Sequence, residues 1–377
     1  MSNRQKTTLP SPCVLIVFPG KQASGYGWGG VFNATIGHIK SLIAAGAEVV
    51  LWTASKPMAE AGAREGAVVD YDPVWHRGMD PLLAPRCWRK ARALKRRGLF
   101  GALHEGGRTG LWGRILFFGI PQAGVMHRER LRSYRTFRDL MVLSHGYQDT
   151  LLQDPVARGK RVVVGANALH RSMPDINDQA RAQTNDKIPT IAFVGRIELV
   201  KGIDLLIDAA AGLKQKKVSF RILIAGGQGG VYAEKVRSLG LEDCISFPGW
   251  FDDPGELYAQ CDIFCLPSRN EPFGLSLIEA MAHGLPVVAS RCHGPATIIE
   301  DSVSGFLTPI GDVPTLEARL FELLENPNLR QQMGLAAQKR ISDMFAPRTV
   351  GLRLLDALRQ LRNTSAGNQL FNRSLKA

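Results

Sequence analysis

Two glutamates eight positions apart stand out in the second half of the chain, in Glu271-Pro-Phe-Gly-Leu-Ser-Leu-Ile-Glu279. An apolar run before them predicts a buried strand, and residues 275–282 have the apolar spacing of a helix. Gly274 would then precede the helix N-terminus, where the unpaired amides of Leu275 and Ser276 can bind an anion. Free amides and carboxylates in one cleft suit a ligand that combines a diphosphate with sugar hydroxyls.

Two cations follow an earlier predicted strand, Thr190–Val194. They are Arg196 and Lys201, in Gly195-Arg-Ile-Glu-Leu-Val-Lys-Gly202. Cations at the carboxyl end of a central strand can neutralise a diphosphate that leaves as an anion. The alternative is a pair of loop cations without a role.

These segments resemble the retaining glycosyltransferases of family 4, also described as glycosyl transferases group 1, which have the GT-B fold. The resemblance also includes Arg221-Ile-Leu-Ile-Ala-Gly-Gly227, Ser246-Phe-Pro-Gly-Trp250, Gly284-Leu-Pro-Val-Val-Ala-Ser290 and Gly305-Phe-Leu-Thr-Pro309. It covers residues 185–345 and is faint over the first half. It implies catalytic roles for Arg196, Lys201 and Glu271, a nucleotide-diphosphate sugar as donor, and neither a metal nor another cofactor.

The resemblance also implies where the nucleotide sugar binds. Glu279 would hold the ribose hydroxyls, and Gly249 and Trp250 would contact the base. The diphosphate would lie near four consecutive residues, Phe273, Gly274, Leu275 and Ser276.

A glycine-rich loop, Gly25-Tyr-Gly-Trp-Gly-Gly30, precedes a predicted helix in the first half. By resemblance, Gly29 and Gly30 would approach the sugar or the diphosphate. The same letters fit a dinucleotide-binding fingerprint, but Leu51-Trp-Thr-Ala-Ser55 supplies no acidic residue for a ribose. A purely structural turn is the other alternative.

Two histidines end predicted strands of the first half. His127 follows the strand predicted over 122–126, and family members place a histidine there, near the transferred sugar. The resemblance therefore implies a catalytic role for His127, and His104 is a weaker candidate of the same kind. Because a lone histidine is more often structural or merely exposed, that alternative stays open for both.

Apolar runs and helical periods alternate along the whole chain. This pattern predicts an α/β protein of the GT-B type, with two Rossmann-like domains whose parallel sheets face each other across a cleft. Residues 1–180 would bind the acceptor, and residues 184–345 would bind the nucleotide sugar. A last helix, 348–362, is expected to return to the first domain and complete it.

The charge is distributed unevenly. Residues 1–183 contain 26 Lys and Arg against 13 Asp and Glu, whereas the remainder contains 21 of each, so the first half carries the net charge of +13. The densest segment, Arg86–Arg97, has seven cations around Trp88 and Leu94 and predicts contact with an anionic membrane. A solvated basic helix and nucleic-acid binding are alternatives. Nucleic acid is not expected as a partner, because no recognition fold accompanies the charge.

Other features bound the compartment and the metal chemistry. Six scattered cysteines, no signal-peptide core and no apolar run of membrane-spanning length predict a cytoplasmic protein, with peripheral attachment to the inner face of the cytoplasmic membrane as a possibility. Asp70-Tyr-Asp72 fits the D-x-D pattern of metal-dependent transferases, but it lies outside the matching region and is interpreted as a turn. No cluster has metal-ligand spacing, so no metal is expected.

The sequence thus predicts a retaining, metal-independent glycosyltransferase. The acceptor would be a glycan or glycolipid, such as a lipid-linked, lipopolysaccharide or cell-surface polysaccharide intermediate. One alternative is a nucleotide-sugar epimerase on the same scaffold, and another is a non-catalytic nucleotide-sugar-binding protein. The intact set Arg196, Lys201, Glu271 and Glu279 argues against the last alternative.

Overall fold

The computed structural model describes residues 11–18, 29–72, 84–106, 109–127, 131–170, 188–251 and 253–374. Two parallel sheets form its framework, with seven strands in the first and six in the second. Their central strands are apolar and buried over nearly every residue, as expected for sheets that are covered by helices on both faces. The predicted α/β architecture is therefore confirmed.

The first sheet has the order β3-β2-β1-β4-β5-β6-β7. Its strands are β1 Cys13–Phe18, β2 Glu48–Thr53, β3 Val68–Tyr71, β4 Leu99–His104, β5 Gln122–Val125, β6 Asp139–Val142 and β7 Arg161–Val164. Its helices are α1 Gly30–Ala44, α2 Lys56–Arg64, α3 Ala84–Arg96, α4 Gly110–Leu116 and α5 His145–Gln153. The order reverses between β1 and β4, which is where ligands bind in sheets of this kind.

The second sheet has the order β10-β9-β8-β11-β12-β13. Its strands are β8 Thr190–Val194, β9 Arg221–Ala225, β10 Ile245–Gly249, β11 Ile263–Leu266, β12 Val287–Ser290 and β13 Phe306–Thr308. Its helices are α6 Ile203–Gln215, α7 Val231–Ser238, α8 Gly255–Tyr258, α9 Leu275–Ala282, α10 His293–Ile298, α11 Val313–Glu325 and α12 Pro327–Phe345. The reversal lies between β8 and β11, the two strands that precede Lys201 and Glu271.

The last helix, α13 Pro347–Ser374, packs against the first domain. A Cβ atom at Gly351 would lie 1.9 Å from the carbonyl oxygen of Ser41, so the backbone of this helix packs directly against the backbone of α1. Leu358 fills the space beside Gly101 of β4, and the Leu361 carbonyl accepts a hydrogen bond from Arg161 Nη1 at 2.9 Å. The helix continues beyond the predicted end at 362.

Candidate active site

Lys201 and Glu271 form an ion pair between the loops that follow the two central strands of the second sheet. The Lys201 Nζ atom lies 2.6 Å from Glu271 Oε2, and the two side chains are only 18% and 10% exposed. The loops touch directly, because a Cβ atom at Gly202 would lie 1.9 Å from the Pro267 carbonyl oxygen. Gly202 also has a φ of +70°, which glycine adopts most readily. Local backbone packing therefore fixes the distance between the cation and the carboxylate.

Arg269 stabilises the turn that carries Lys201 by hydrogen bonds. Its guanidinium donates two hydrogen bonds to the Asp204 carboxylate, at 2.7 and 2.6 Å, and another to the Leu199 carbonyl at 2.9 Å. These hydrogen bonds lower the pKa of Asp204. The Arg269 amide also donates to the Val200 carbonyl at 2.8 Å. Sequence reasoning missed Arg269, although it stands only two residues before Glu271, because nothing in its spacing signals a contact with residue 204.

Gly274 precedes α9 with a φ of +109°. The amides of Leu275 and Ser276 lie in the first turn, where a helix supplies no acceptor for them, so they can donate to an anion. Phe273 contributes differently from the prediction, since its side chain is buried and stacks edge-on against Phe345, with the ring centroids 5.8 Å apart. Its ring is part of the core, and only its backbone is available to a nucleotide.

Glu279 is buried at the boundary between the two domains. Tyr258 donates its hydroxyl to Glu279 Oε2 at 3.1 Å, and His170 Nδ1 lies 3.5 Å from Glu279 Oε1. His170 belongs to the segment that follows β7, so the first domain's chain reaches the predicted ribose ligand. A ribose would have to share or replace these contacts.

Arg196 is placed apart from this network. Its guanidinium pairs with Glu198, and 52% of its side chain is exposed. The structure therefore does not show the two-cation clamp that the spacing predicts, because only Lys201 is held beside Glu271. The exposed Arg196 side chain can reach an anion only by leaving Glu198.

Glycines line the strand ends near the predicted base-binding loop. Gly249 ends β10 with a φ of +89°, and its carbonyl accepts a hydrogen bond from the Gly226 amide at 2.7 Å. A Cβ atom at Gly226 would lie 1.8 Å from the Gly195 carbonyl oxygen. The loops after β8, β9 and β10 thus pack backbone against backbone. Trp250 follows them with 46% of its surface exposed, so its ring is accessible to a flat ligand.

On the first domain, Gly29 and Gly30 form the N-terminus of α1. A Cβ atom built on either residue would meet no atom of the described residues within 4 Å. The earlier glycines of the loop, Gly25 and Gly27, lie outside the described residues.

His127 follows β5 and belongs to a buried cluster that the sequence did not reveal. His127 Nε2 lies 2.5 Å from Glu105 Oε2, and His38 Nδ1 lies 2.7 Å from Glu105 Oε1. Burial raises the pKa of Glu105, but the charges and hydrogen bonds of the two histidines outweigh it, and the pKa lies far below its usual range. Burial lowers the pKa of His38, but the Glu105 carboxylate outweighs it and the pKa is raised.

The structure places His104, the weaker candidate, in the interior of the first domain. His104 is 1% exposed, and its ring nitrogens bond to Thr109 Oγ1 at 2.9 Å and Gln122 Oε1 at 3.2 Å. Burial lowers its pKa to about 4, against the opposing effects of Gln122 and Glu105. The residue is a structural part of the domain interior. Its neighbour Glu105 is the carboxylate at this strand end, and it contacts His38 and His127.

Asp70 lies in β3 rather than in the predicted turn, and Asp72 follows the strand. Asp70 pairs with Lys90, and Asp72 lies 3.4 Å from Arg86, so α3 neutralises both carboxylates. Within the described ranges, no group of three His, Cys, Asp or Glu side chains could hold a metal ion. The same ranges contain no helix that is both long and apolar enough to cross a membrane.

Comparison with known proteins confirms the resemblance that the motifs predicted. Residues 175–340 match the family model described as "Glycosyl transferases group 1". The chain is 35% identical over 204 residues to the D-inositol 3-phosphate glycosyltransferase of Salinispora arenicola, covering 48% of this chain and 45% of that protein. It is 28% identical over 169 residues to the lipopolysaccharide core biosynthesis glycosyltransferase LpsE of Rhizobium meliloti, covering 45% and 49%. The chain thus spans about half the length of the curated relatives it matches.

The whole fold has solved counterparts. Anabaena Alr3699/HepE, solved in complex with UDP, superimposes with a TM-score of 0.71 at 19% identity, covering 93% of this chain and 100% of that one. The two Rossmann-like domains therefore have the GT-B fold, as predicted. The family match lies on the second domain, which carries Lys201, Glu271 and Glu279.

Proposed function

We propose that the protein is a retaining, metal-independent glycosyltransferase that uses a nucleotide-diphosphate sugar. The observation that carries the proposal is the buried Lys201–Glu271 pair beside the free amides of Leu275 and Ser276. Together they offer one cation, two N–H donors and a carboxylate to a diphosphate and its sugar. HepE, which shares the fold, was solved with UDP, which supports a nucleotide as ligand.

In the proposed reaction, the diphosphate binds at the N-terminus of α9 and Lys201 neutralises its charge as it leaves. The bond between the anomeric carbon and the phosphate oxygen breaks. The acceptor hydroxyl then bonds to the same face of that carbon, and its proton passes to the departing phosphate oxygen. Glu271, released from part of its pairing with Lys201, orients the sugar hydroxyls.

The proposal is tested by offering UDP-, GDP- and ADP-sugars to the full chain in excess EDTA. We expect one base to raise the melting temperature and one of its sugars to be hydrolysed slowly, because side chains and a helix terminus replace the metal. Retention is tested by the anomeric configuration of the first-formed product in NMR spectra. Activity that requires added Mg²⁺ or Mn²⁺, or an inverted product, would refute the corresponding part of the proposal.

The acceptor is proposed to be an anionic glycolipid at a membrane surface. On α3, Arg89, Arg92 and Arg96 share one helix face, are exposed and have no ion pair within the described part of the chain. The other cations of the segment are engaged, since Arg86, Lys90 and Arg97 pair with carboxylates and Lys95 Nζ donates to the Phe118 carbonyl at 3.1 Å.

Exposed apolar side chains lie on α3 and on α4, which packs against it. Phe118 is 83% exposed. Leu111 and Ile115, which are exposed as well, lie one turn from each other on α4. Trp88 is exposed on α3. The combination of unpaired cations and exposed apolar groups, here called the α3–α4 surface, suits an interface between anionic headgroups and acyl chains. The name of the relative LpsE, a lipopolysaccharide core enzyme, supports the same acceptor class.

A further inference from the structure

The His38–Glu105–His127 cluster is the most deeply buried group of charges in the described structure that the proposed chemistry leaves unexplained. The Glu105 side chain is fully buried, as is that of His38, and the His127 side chain is 6% exposed. An isolated carboxylate in such a place would cost several kcal/mol. A fold keeps it only if its partners compensate for that cost.

The geometry fixes where the protons are. An ionised carboxylate can only accept hydrogen bonds, so both imidazole nitrogens that face Glu105 must carry hydrogen. They are His38 Nδ1, at 2.7 Å, and His127 Nε2, at 2.5 Å. The remaining nitrogen of His127 is Nδ1, which has no hydrogen-bond partner among the residues that the structure describes.

The second histidine accounts for the charge. Burial lowers the pKa of His38, but the charge and hydrogen bond of Glu105 raise it further, with the Ala166 backbone and the Asn167 side chain acting in the same direction. His38 is therefore the cation that balances the carboxylate at 2.7 Å. The two imidazole rings lie nearly parallel, with centroids 6.0 Å apart. The cluster joins α1, the end of β4 and the end of β5, so it fixes the His127 ring to three elements of the first sheet.

We propose that Glu105, balanced by His38, is a positioning residue that holds His127 with its proton on Nε2 and presents Nδ1 as a hydrogen-bond acceptor to a hydroxyl of the transferred sugar. The inference rests on the proposed function for the identity of the ligand. The tautomer itself is a property of the protein alone. His38 and Glu105 act through His127 and do not contact the sugar.

The tautomer can be measured without any substrate. In the full chain labelled with ¹⁵N-histidine, long-range ¹H–¹⁵N spectra distinguish a protonated from an unprotonated ring nitrogen, and the variant His127→Asn assigns the signals. We expect protonated Nε2 and unprotonated Nδ1 for neutral His127. Protonated Nδ1 in the neutral ring of the unaltered protein would overturn the proposal.

The variant Glu105→Gln tests the cause. In Glu105→Gln one of the two oxygens that face the rings becomes an NH2 group, which donates and cannot accept, so the His127 signals should change to a mixture of tautomers. His104 is a built-in control, because its ring is held by Thr109 and Gln122. Unchanged His127 signals would contradict the role of Glu105, and His38→Gln provides a second variant that should perturb His127 in the same direction.

The effect of Glu105→Gln on the reaction is measured by steady-state kinetics with the nucleotide sugar that the screen identifies as the donor. Removing the carboxylate that orients a metal-binding histidine typically costs about 10- to 100-fold in activity, and this sets the scale for Glu105. We expect a loss of this size in kcat for Glu105→Gln, with KM for the donor changed less than about two-fold. An unchanged kcat would refute the catalytic part, whereas absence of turnover in the unaltered protein with every nucleotide sugar would refute the proposed function and leave the tautomer result standing.

Discussion

The two domains assemble their functional groups in opposite ways. In the second domain, Glu271, Gly274 and Glu279 come from nine consecutive residues, and Lys201 stands on the adjacent strand end. In the first domain, His38, Glu105 and His127 come from three separate elements and meet only in the fold. The charge differs as well, because the second half is neutral and the first carries the whole excess of cations. A contiguous motif can be read from sequence, whereas a dispersed cluster cannot.

The largest expected effect tests the second domain's contiguous site. Lys201→Ala should lower donor cleavage by about 10²-fold or more, because it removes a preorganised charge partner of the leaving diphosphate. Lys214→Ala is the matched control, since Lys214 forms an exposed ion pair with Asp243. Steady-state donor hydrolysis measures both variants. Equal activities of Lys201→Ala and Lys214→Ala would show that the Lys201–Glu271 ion pair has only a structural role.

The next effect tests the first domain's charge. Replacing Arg89, Arg92 and Arg96 by Gln should weaken binding to anionic vesicles by about 3 kcal/mol, or about 10²-fold, at roughly 1 kcal/mol for each cation. The control replaces the paired cations Arg86, Lys90 and Arg97, whose charges are already offset by carboxylates.

Sedimentation with vesicles at low and high salt measures both triple variants. Binding of the unaltered protein should fall as the Debye length shortens from about 10 Å at 0.1 M to about 3 Å at 1 M. Two triple variants that bind alike would show that total charge, rather than the α3–α4 surface, attracts the membrane. If none of the six substitutions changed vesicle binding, α3 would be a solvated basic helix without a role at the membrane.

A pair of glycines compares the backbone packing of the two domains. Gly202→Ala in the second domain should lower the free energy of unfolding by about 3 kcal/mol, because the added Cβ would collide with the Pro267 carbonyl at a positive φ. In the first domain, Gly46 also has a positive φ, +86°, but an added Cβ atom would meet no described atom within 4 Å. Gly46→Ala should therefore lower the free energy of unfolding only by the cost of the positive φ, about 1 kcal/mol. Urea denaturation measures both. Equal losses would mean that the β8 and β11 loops can separate freely.

The smallest effect concerns pH and the buried histidine of β4. The pKa of His104 is about 4 in the folded protein and about 6.5 when unfolded, so the unfolded chain binds more protons between these values. Stability from this group is therefore full above pH 6.5 and is lost as the pH falls towards 4. Between pH 7 and pH 5 the loss should be about 2 kcal/mol.

The variant His104→Gln should show a shallower decline over the same pH range, and its stability relative to the unaltered protein should therefore improve on acidification. His38 and Glu105 titrate in both proteins and so cancel in the difference. Unfolding by urea at pH 7 and pH 5 gives the comparison. A parallel decline in both proteins would show that His104 is hydrated and not part of the interior.

Much of the fold could be predicted because its signals are local. The apolar strand Thr190–Val194, for example, was predicted at its observed bounds. The three-residue strand β13 is too short to show a period, and α2 contains a glycine, Gly62, that weakens the helical pattern. That glycine is needed because a Cβ atom there would lie 2.5 Å from Leu51 Cδ2. The start of α12 did carry a readable signal, since Asn326 caps it and Pro327 follows.

By itself, the sequence determined the α/β class, the position of the cleft-facing motif in the second domain and the charge of the first. Each of these depends on residues that are close together in the chain or on composition, which folding does not alter. The tertiary structure decided that Lys201 pairs with Glu271 while Arg196 faces solvent, and that His127 shares Glu105 with His38 while His104 is buried. Hydrogen bonds and burial depend on which segments the fold brings within about 3 Å of one another. Residues 38, 105 and 127 give no sign of that proximity until three elements of the sheet converge.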